Sequence, residues 1–396
     1  MAEDRTAVRE IVWSEVFPSV LLMSAWRAAI RIRVLVLAAL GVLVTGFGWR
    51  WLEQAFHIKQ EDSLSAILWN PAPSVPSAPA DWLLQSPPID AWRDLSKPFL
   101  AAFDPTSGAG RFWYLALCAL WGLAIWSLAG GAICRISAVE FSREERLSLG
   151  QALSFARQKW LSLIAAPLYP MFGVILASIP LALLGFISRS GSFGVVILGL
   201  LWPLVLLAAA AMAVLLVGLF FNWPFMWPTI ATEGTDSFDA LSRSYAYTFQ
   251  RPLRCLGYAI LAAIIGLLAG LLVHFFGQAV VRLAHWAVSW GSGANIQEHL
   301  FHSEGLSGAA SFGATLMQFW NRAVGLLVNA FGFGYFFVAS TAIYLLLRFH
   351  VDAVETDEVY LPDDDEQLYG MPPLATDAAG VPSAADAPPV ASSPEG

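Results

Sequence analysis

Six stretches of about 20 or more apolar residues, almost free of charge, divide this chain: 34–52, 112–134, 161–186, 193–222, 254–277 and 323–347. A helix of that length crosses the roughly 30 Å of bilayer hydrocarbon, where every backbone polar group must be satisfied internally. The expected fold is therefore all-α, a polytopic integral membrane helical bundle with six transmembrane helices. Composition agrees, with 57% hydrophobic and 13% charged residues against about 25% charged in soluble chains. The first run reads as a retained signal anchor, because GFGWRWLEQ follows it where a cleavage site would need small residues.

Lysine and arginine set the orientation. With the N-terminus in the cytoplasm, the inner side holds Arg5, Arg9, Arg27, Arg31 and Arg33, then Arg135, Arg143, Arg146, Arg157 and Lys159, then Arg243, Arg251, Arg254 and Arg348. The outer side holds Arg50, Lys59, Arg93, Lys97, Arg111, Arg189, Arg282 and Arg322, in longer loops. The positive-inside rule places both termini inside, so the expected location is multi-pass in a bacterial inner (cytoplasmic) membrane.

Three regions follow. Residues 1–33 form a cytoplasmic segment with an amphipathic helix, 34–354 the six-span domain, and 355–396 a tail. Net charge is −8, but ten acids from Glu355 to Glu395 lie in the tail, and without them the rest carries about +2. The tail is rich in Pro, Ala, Ser and Asp, lacks a core-forming pattern, and is expected to be disordered. In the outer loop at about 53–111, NPAPSVPSAPADW and SPPIDAW favour extended and turn structure, with a short interfacial piece around AWRDLSKPFLAAF that sets Trp92 and Phe99 at the headgroups. The second outer loop, about 278–322, is expected on the membrane surface. No basic domain or nucleic-acid motif occurs, and the partners expected are membrane lipids and other membrane proteins.

A shift of 88 positions lays SLGQALS, 148–154, on DSFDALS, 236–242, with Glu145 falling on Glu233. Each copy reads as a helix start: Ser148 with Gln151 as a capping box, Asp236 with Asp239 as an acidic variant at the positive end of the dipole. Leu149, Ala152, Leu153, Ala156 and Trp160 make one apolar stripe; Phe238, Leu241, Tyr245 and Phe249 make the other. Arg157 and Arg243 lie off the stripes, and Asp239 with Arg243, one turn apart, reads as a helix-supporting ion pair. Both segments are expected to be cytoplasmic amphipathic interfacial helices leading into spans. SVLLMSAWRAAIRIR, 19–33, is a third candidate, so the organising unit is an interfacial helix followed by a span.

Glu233, Gly234, Asp239, Ala240, Leu241, Arg243 and Ser244, after MWPTIAT, carry a resemblance. This segment resembles the membrane domain associated with some bacterial glycerophosphodiester phosphodiesterases and with related six-span proteins. The resemblance implies a six-span domain. The soluble barrel that supplies catalysis in those enzymes has no counterpart here.

Ionisable groups inside spans mark ion or substrate pathways, and the apolar runs offer few polar groups beyond His274, Asn329, Ser178, Ser340 and Thr341. Pro167, Pro170, Pro180, Pro203, Pro224 and Pro228 read as kinks whose freed carbonyls neighbours satisfy. Ala262, Gly266 and Gly270 form a small-xxx-small face for close helix packing. Cys118, Cys134 and Cys255 read as free core thiols, and the tryptophans, NWPFMWP included, as anchors at the membrane boundary. Glu298, His299, His302 and Glu304 in EHLFHSE have metal-ligand spacing, yet two histidines rarely suffice, so no metal or other cofactor is expected. No nucleophile or phosphate-loop motif supports an enzyme class. The function expected is a non-enzymatic membrane protein organising lipids or partner proteins. The alternatives are a transporter or channel component for an apolar or lipid-like substrate, and a lipid-modifying enzyme using the outer-loop histidines.

Overall fold

The computed structural model describes residues 19–59, 63–69, 83–104, 108–292 and 308–360, and two short strands beyond them. Its helices are α1 (Val20–Ala29), α2 (Ile32–Ala55), α3 (Ser65–Trp69), α4 (Pro87–Ala102), α5 (Ala109–Arg143), α6 (Leu149–Gln158), α7 (Trp160–Ile187), α8 (Ser192–Glu233), α9 (Ser237–Gln250), α10 (Pro252–Ser292) and α11 (Ala309–Asp352). Six of them, α2, α5, α7, α8, α10 and α11, are long and apolar enough to cross a membrane. The protein is thus an all-α, multi-pass membrane protein. The chain forms two units, 1–359 and 360–396; the described strands of the second, Ala375–Thr376 and Pro382–Ser383, pair antiparallel.

Helix precedes span three times: α1 leads to α2, α6 to α7 and α9 to α10, with two, one and one residues between. Side-chain caps make the starts of α6 and α9. Ser148 Oγ accepts from the Gln151 amide while Gln151 Oε1 accepts from the Ser148 amide, at 3.3 and 3.0 Å. Asp236 Oδ1 accepts from the amides of Phe238 and Asp239, both at 2.9 Å, satisfying donors that a helix N-terminus leaves open.

The spans run further than the apolar runs. No proline falls between Leu253 and Ser292, and without a breaker helix propagation continues past the hydrocarbon-length stretch. Residues 278–292 and 309–322 therefore extend α10 and α11 instead of forming a separate surface element. Residues 70–82 of the first outer loop lie outside the described part. SPPID, however, starts α4, with Pro87 and Pro88 at its first two positions, where a missing N–H costs nothing. This helix packs against α5, α10 and α11.

The C-terminal half of α11 is the centre of the bundle. All of its most apolar 18-residue stretch is buried, against 6% for α7 and 11% for α8. Trp126 stacks on Phe333 and Phe337 at centroid distances of 5.0 and 5.4 Å, and Trp227 stacks on Phe337 at 5.4 Å. Trp49, Trp126 and Trp227 are core residues, which corrects their reading as boundary anchors. The three cysteines are free and buried.

Two of these contacts answer the prolines. Pro167 has no N–H for the Leu163 carbonyl one turn back, and Trp227 Nε1 donates to that oxygen at 2.8 Å. Pro224 likewise frees the Phe220 carbonyl, which accepts from Trp92 Nε1 at 3.2 Å. Trp92 therefore ties α4 to α8, where the sequence placed it among headgroups. Trp49 Nε1 donates to Cys118 O at 2.9 Å, joining α2 to α5. Trp126 is the exception, its Nε1 buried without a hydrogen-bond partner.

The small face of α10 receives α4 and α11. Tyr335 donates to the Ala262 carbonyl at 2.8 Å, and a Cβ on Gly266 would lie 2.6 Å from Tyr335 Cε1 and 2.8 Å from Pro88 Cδ. A Cβ on Gly270 would run into Pro87. Gly266→Val should accordingly lower unfolding free energy in detergent micelles by about 2 kcal/mol through overpacking. Gly257→Ala, where a Cβ meets nothing within 4 Å, should leave it unchanged or raised by up to about 1 kcal/mol.

Candidate functional site

The C-terminus of α8 gathers charged side chains from several helices. Glu233 is its last residue, and Gly234 follows at φ +65°, a left-handed cap that turns the chain toward α9 with its N–H on the Ile230 carbonyl at 3.0 Å. The Glu233 side chain is only 7% exposed. Arg243 of α9 reaches its Oε2 at 2.6 Å, Arg348 of α11 approaches Oε1 at 3.6 Å, and the Tyr344 hydroxyl donates to Oε1. One carboxylate thus joins α8, α9 and α11.

The shell around it is polar, and Glu233 Oε2, buried without a hydrogen bond, meets Arg243 by charge alone. Arg348 Nη1 donates to the Glu358 carbonyl at 2.7 Å, and Tyr247 donates to Asp352 Oδ2. Burial first, then the bond to Asp352 and the charge of Glu233, push the Tyr247 hydroxyl above the usual phenol range, so it remains a donor. Arg135, 2% exposed in α5, donates to the Ala231 carbonyl at 2.7 Å and lies 4.5 Å over the Phe155 ring of α6. Lys159, between α6 and α7, donates to the Gly234 carbonyl. Two cations therefore close the negative end of α8, and through them α5 and the α6–α7 break are fixed to the same point.

This arrangement accounts for the motif residues one by one. Arg243 turns to Glu233 and not to Asp239. Ala240, Ser244 and Tyr247 form the buried face of α9, while Phe238 and Phe249 are exposed and Leu241 and Tyr245 are half-buried. On α6 the buried face is Ala152, Phe155 and Ala156, with Leu153 and the adjoining Trp160 exposed; Arg157 is exposed in its last turn. Glu145, the counterpart of Glu233 by the 88-residue shift, is exposed. Arg135, Arg348, Tyr344, Tyr247 and Asp352 were not singled out as site residues. The readable signal was Arg135, a cation inside the apolar GGAICRISAV.

The description "Domain of unknown function (DUF7847)" belongs to a family whose pattern matches residues 99–347. The chain belongs to that family. No curated protein and no solved structure matches it. The DUF7847 segment takes in the whole Glu233 cluster up to Tyr344, with α1, α2 and most of α4 ahead of it and Arg348 and Asp352 just beyond.

Among the described residues, the remaining polar clusters lie apart from that one. Glu298, His299, His302 and Glu304 lie outside the described residues; among the described ones no three His, Cys, Asp or Glu side chains gather as a metal site. His274 pairs with Gln278 at 2.7 Å and His285 with Asn321 at 3.1 Å; His274, Gln278 and Asn321 border a cleft of about 240 Å³ between α10 and α11. On α4, burial and then the charge of Asp90 raise Asp94 to about 7, against the pull of Arg93 and Lys97.

The clasp performs no evident chemistry, and its consequence is mechanical. Glu233→Gln removes the buried counter-charge of Arg348, leaving it the exposed Glu358 carboxylate at 4.0 Å, and should cost about 3 kcal/mol of unfolding free energy. Arg243→Gln, at a side chain 44% exposed, should cost under about 1 kcal/mol; both are measured by chemical denaturation in micelles. Asp94 gives a pH dependence. Its folded-state pKa of about 7 exceeds its ordinary 3.8, so the folded state holds the proton more tightly and stability falls as pH rises from about 4 to 7. Asp94→Asn should flatten melting temperature against pH across that window.

Proposed function

We propose that this DUF7847 protein is a non-catalytic membrane organiser that holds lipids or partner membrane proteins against its apolar surfaces. One contrast carries the reading: the most apolar stretch of α11 is wholly enclosed, whereas α7 and α8 are almost unpacked over theirs. Phe172, Leu176, Leu183, Phe193, Leu200 and Leu207 are all exposed along that hairpin. The 42 residues of α8 extend about 63 Å, twice the hydrocarbon thickness, which offers far more apolar contact than one crossing requires. A bundle whose centre is filled by stacked aromatics supports holding over transport.

In this reading α1, α6 and α9 lie along the cytoplasmic boundary, both termini are cytoplasmic, and the membrane is the bacterial inner membrane. The Lys and Arg distribution supports the orientation, and the outward Phe238 and Phe249 of α9 support insertion of that helix among acyl chains.

Extraction into native lipid discs followed by mass spectrometry tests the function. Enrichment of particular lipids over bulk membrane, or a stoichiometric membrane protein, is expected; bulk lipid composition with no protein companion contradicts it. Reporter fusions after residues 150 and 245 should both report a cytoplasmic location, and an external location for either contradicts the topology.

A further inference from the structure

A second cluster of charge sits apart from Glu233, where α2 begins and α5 ends. A cleft of about 290 Å³ is lined by Arg31, Ile32, Arg33, Ile136, Glu140, Arg146 and Leu147. Arg31 pairs with Glu140, whose side chain is 12% exposed, and Arg33 Nη1 donates to the Leu147 carbonyl. These contacts fix two guanidiniums in place and leave each with free donors, since an arginine carries five N–H groups. Arg146 is exposed at the same cleft. Three cations face one carboxylate, so the cleft is net positive by two.

Its surroundings are those of a lipid headgroup. Arg31 and Arg33 immediately precede the apolar run of α2, which puts the cleft at the edge of the hydrocarbon. From its rim an exposed apolar stripe, Ile32, Leu40, Val44, Phe47 and Trp51, runs down α2. Those residues cover about 28 Å of helix, longer than one leaflet of a 30 Å core. A phosphate in the cleft would have acyl chains directly below it, an arrangement that favours a lipid over a free anion. Planar guanidiniums suit a phosphate bidentately, and basic pockets between spans recognise acidic headgroups.

We propose that this cleft binds the phosphate of an anionic lipid, with Arg31, Arg33 and Arg146 around the headgroup and the Ile32 stripe along its chains. The proposal deepens the reading above by naming a lipid class, and rests on its lipid arm. Glu140 then competes with the ligand for Arg31.

The test uses the full chain in discs of equal phosphatidylglycerol and phosphatidylcholine, with bound lipid counted by native mass spectrometry. Wild type should retain phosphatidylglycerol preferentially. The Arg33→Gln/Arg146→Gln double variant should bind it roughly 25-fold more weakly, about fivefold per basic group. Glu140→Gln should bind it more tightly than wild type, a gain that misfolding cannot produce. Equal retention of the two lipids by wild type, or no gain in Glu140→Gln, overturns the proposal. Inorganic phosphate is the second probe: thermal protection by phosphate without phosphatidylglycerol preference overturns the lipid as the source of the anion. Extraction into native discs reports the broader reading separately, since a companion membrane protein or another enriched lipid there, without phosphatidylglycerol preference here, contradicts only this inference.

Discussion

Hydrocarbon offers no water to a backbone carbonyl, and that constraint governs how this chain can use proline. Six prolines lie inside α7 and α8, each leaving a carbonyl one turn earlier without its amide partner. Two of those oxygens, on Leu163 and Phe220, accept an indole N–H from another helix. The donor for α7 comes from α8, and the donor for α8 comes from α4. A local defect thus becomes a fixed contact between elements, and each such contact sets one helix against its neighbour at a defined height. Thr229 and Thr232 add back-bonds to Phe225 and Pro228 within α8, both at 2.8 Å.

The same logic extends to the charged end of α8. Its terminal carbonyls meet Arg135 and Lys159, and Glu233 meets Arg243, Arg348 and Tyr344. An ion cluster at this depth is tolerated because each member has a partner. It converts the turn between α8 and α9 into the point where α5, α8, α9, α11 and the α6–α7 break are held together. Elements far from it are free to be apolar on every side, and the outer α7–α8 hairpin is.

Legibility followed the range of the interaction. The six spans, the capped starts at Ser148 and Asp236, and the small face of Ala262, Gly266 and Gly270 are written within a few residues each, and periodicity or capping chemistry reveals them. The partners of Glu233 are more than 100 residues away in Tyr344 and Arg348, so the nearer pairing of Asp239 with Arg243 looked sufficient. The tryptophans misled for a related reason: composition assigns them to membrane boundaries, whereas Trp227 and Trp92 are placed by prolines on other helices. The start of α4 is hidden by Pro87 and Pro88, which read as loop until their position at a helix start is known, whereas the piece at AWRDLSKPFLAAF, 91–103, coincides with the rest of the helix. On α6 the stripe of Leu149, Ala152, Leu153, Ala156 and Trp160 holds two of the three buried residues, Ala152 and Ala156, and omits the third, Phe155.

The central claim is that an indole N–H compensates a proline within the packed bundle. A double-mutant cycle between Pro167→Ala and Trp227→Phe, followed by unfolding in micelles, addresses it directly. The Pro167→Ala change restores an amide to the Leu163 carbonyl, so losing the indole donor should cost about 1 kcal/mol less in that background than in wild type. Equal cost of Trp227→Phe in both backgrounds, within about 0.5 kcal/mol, would contradict the account.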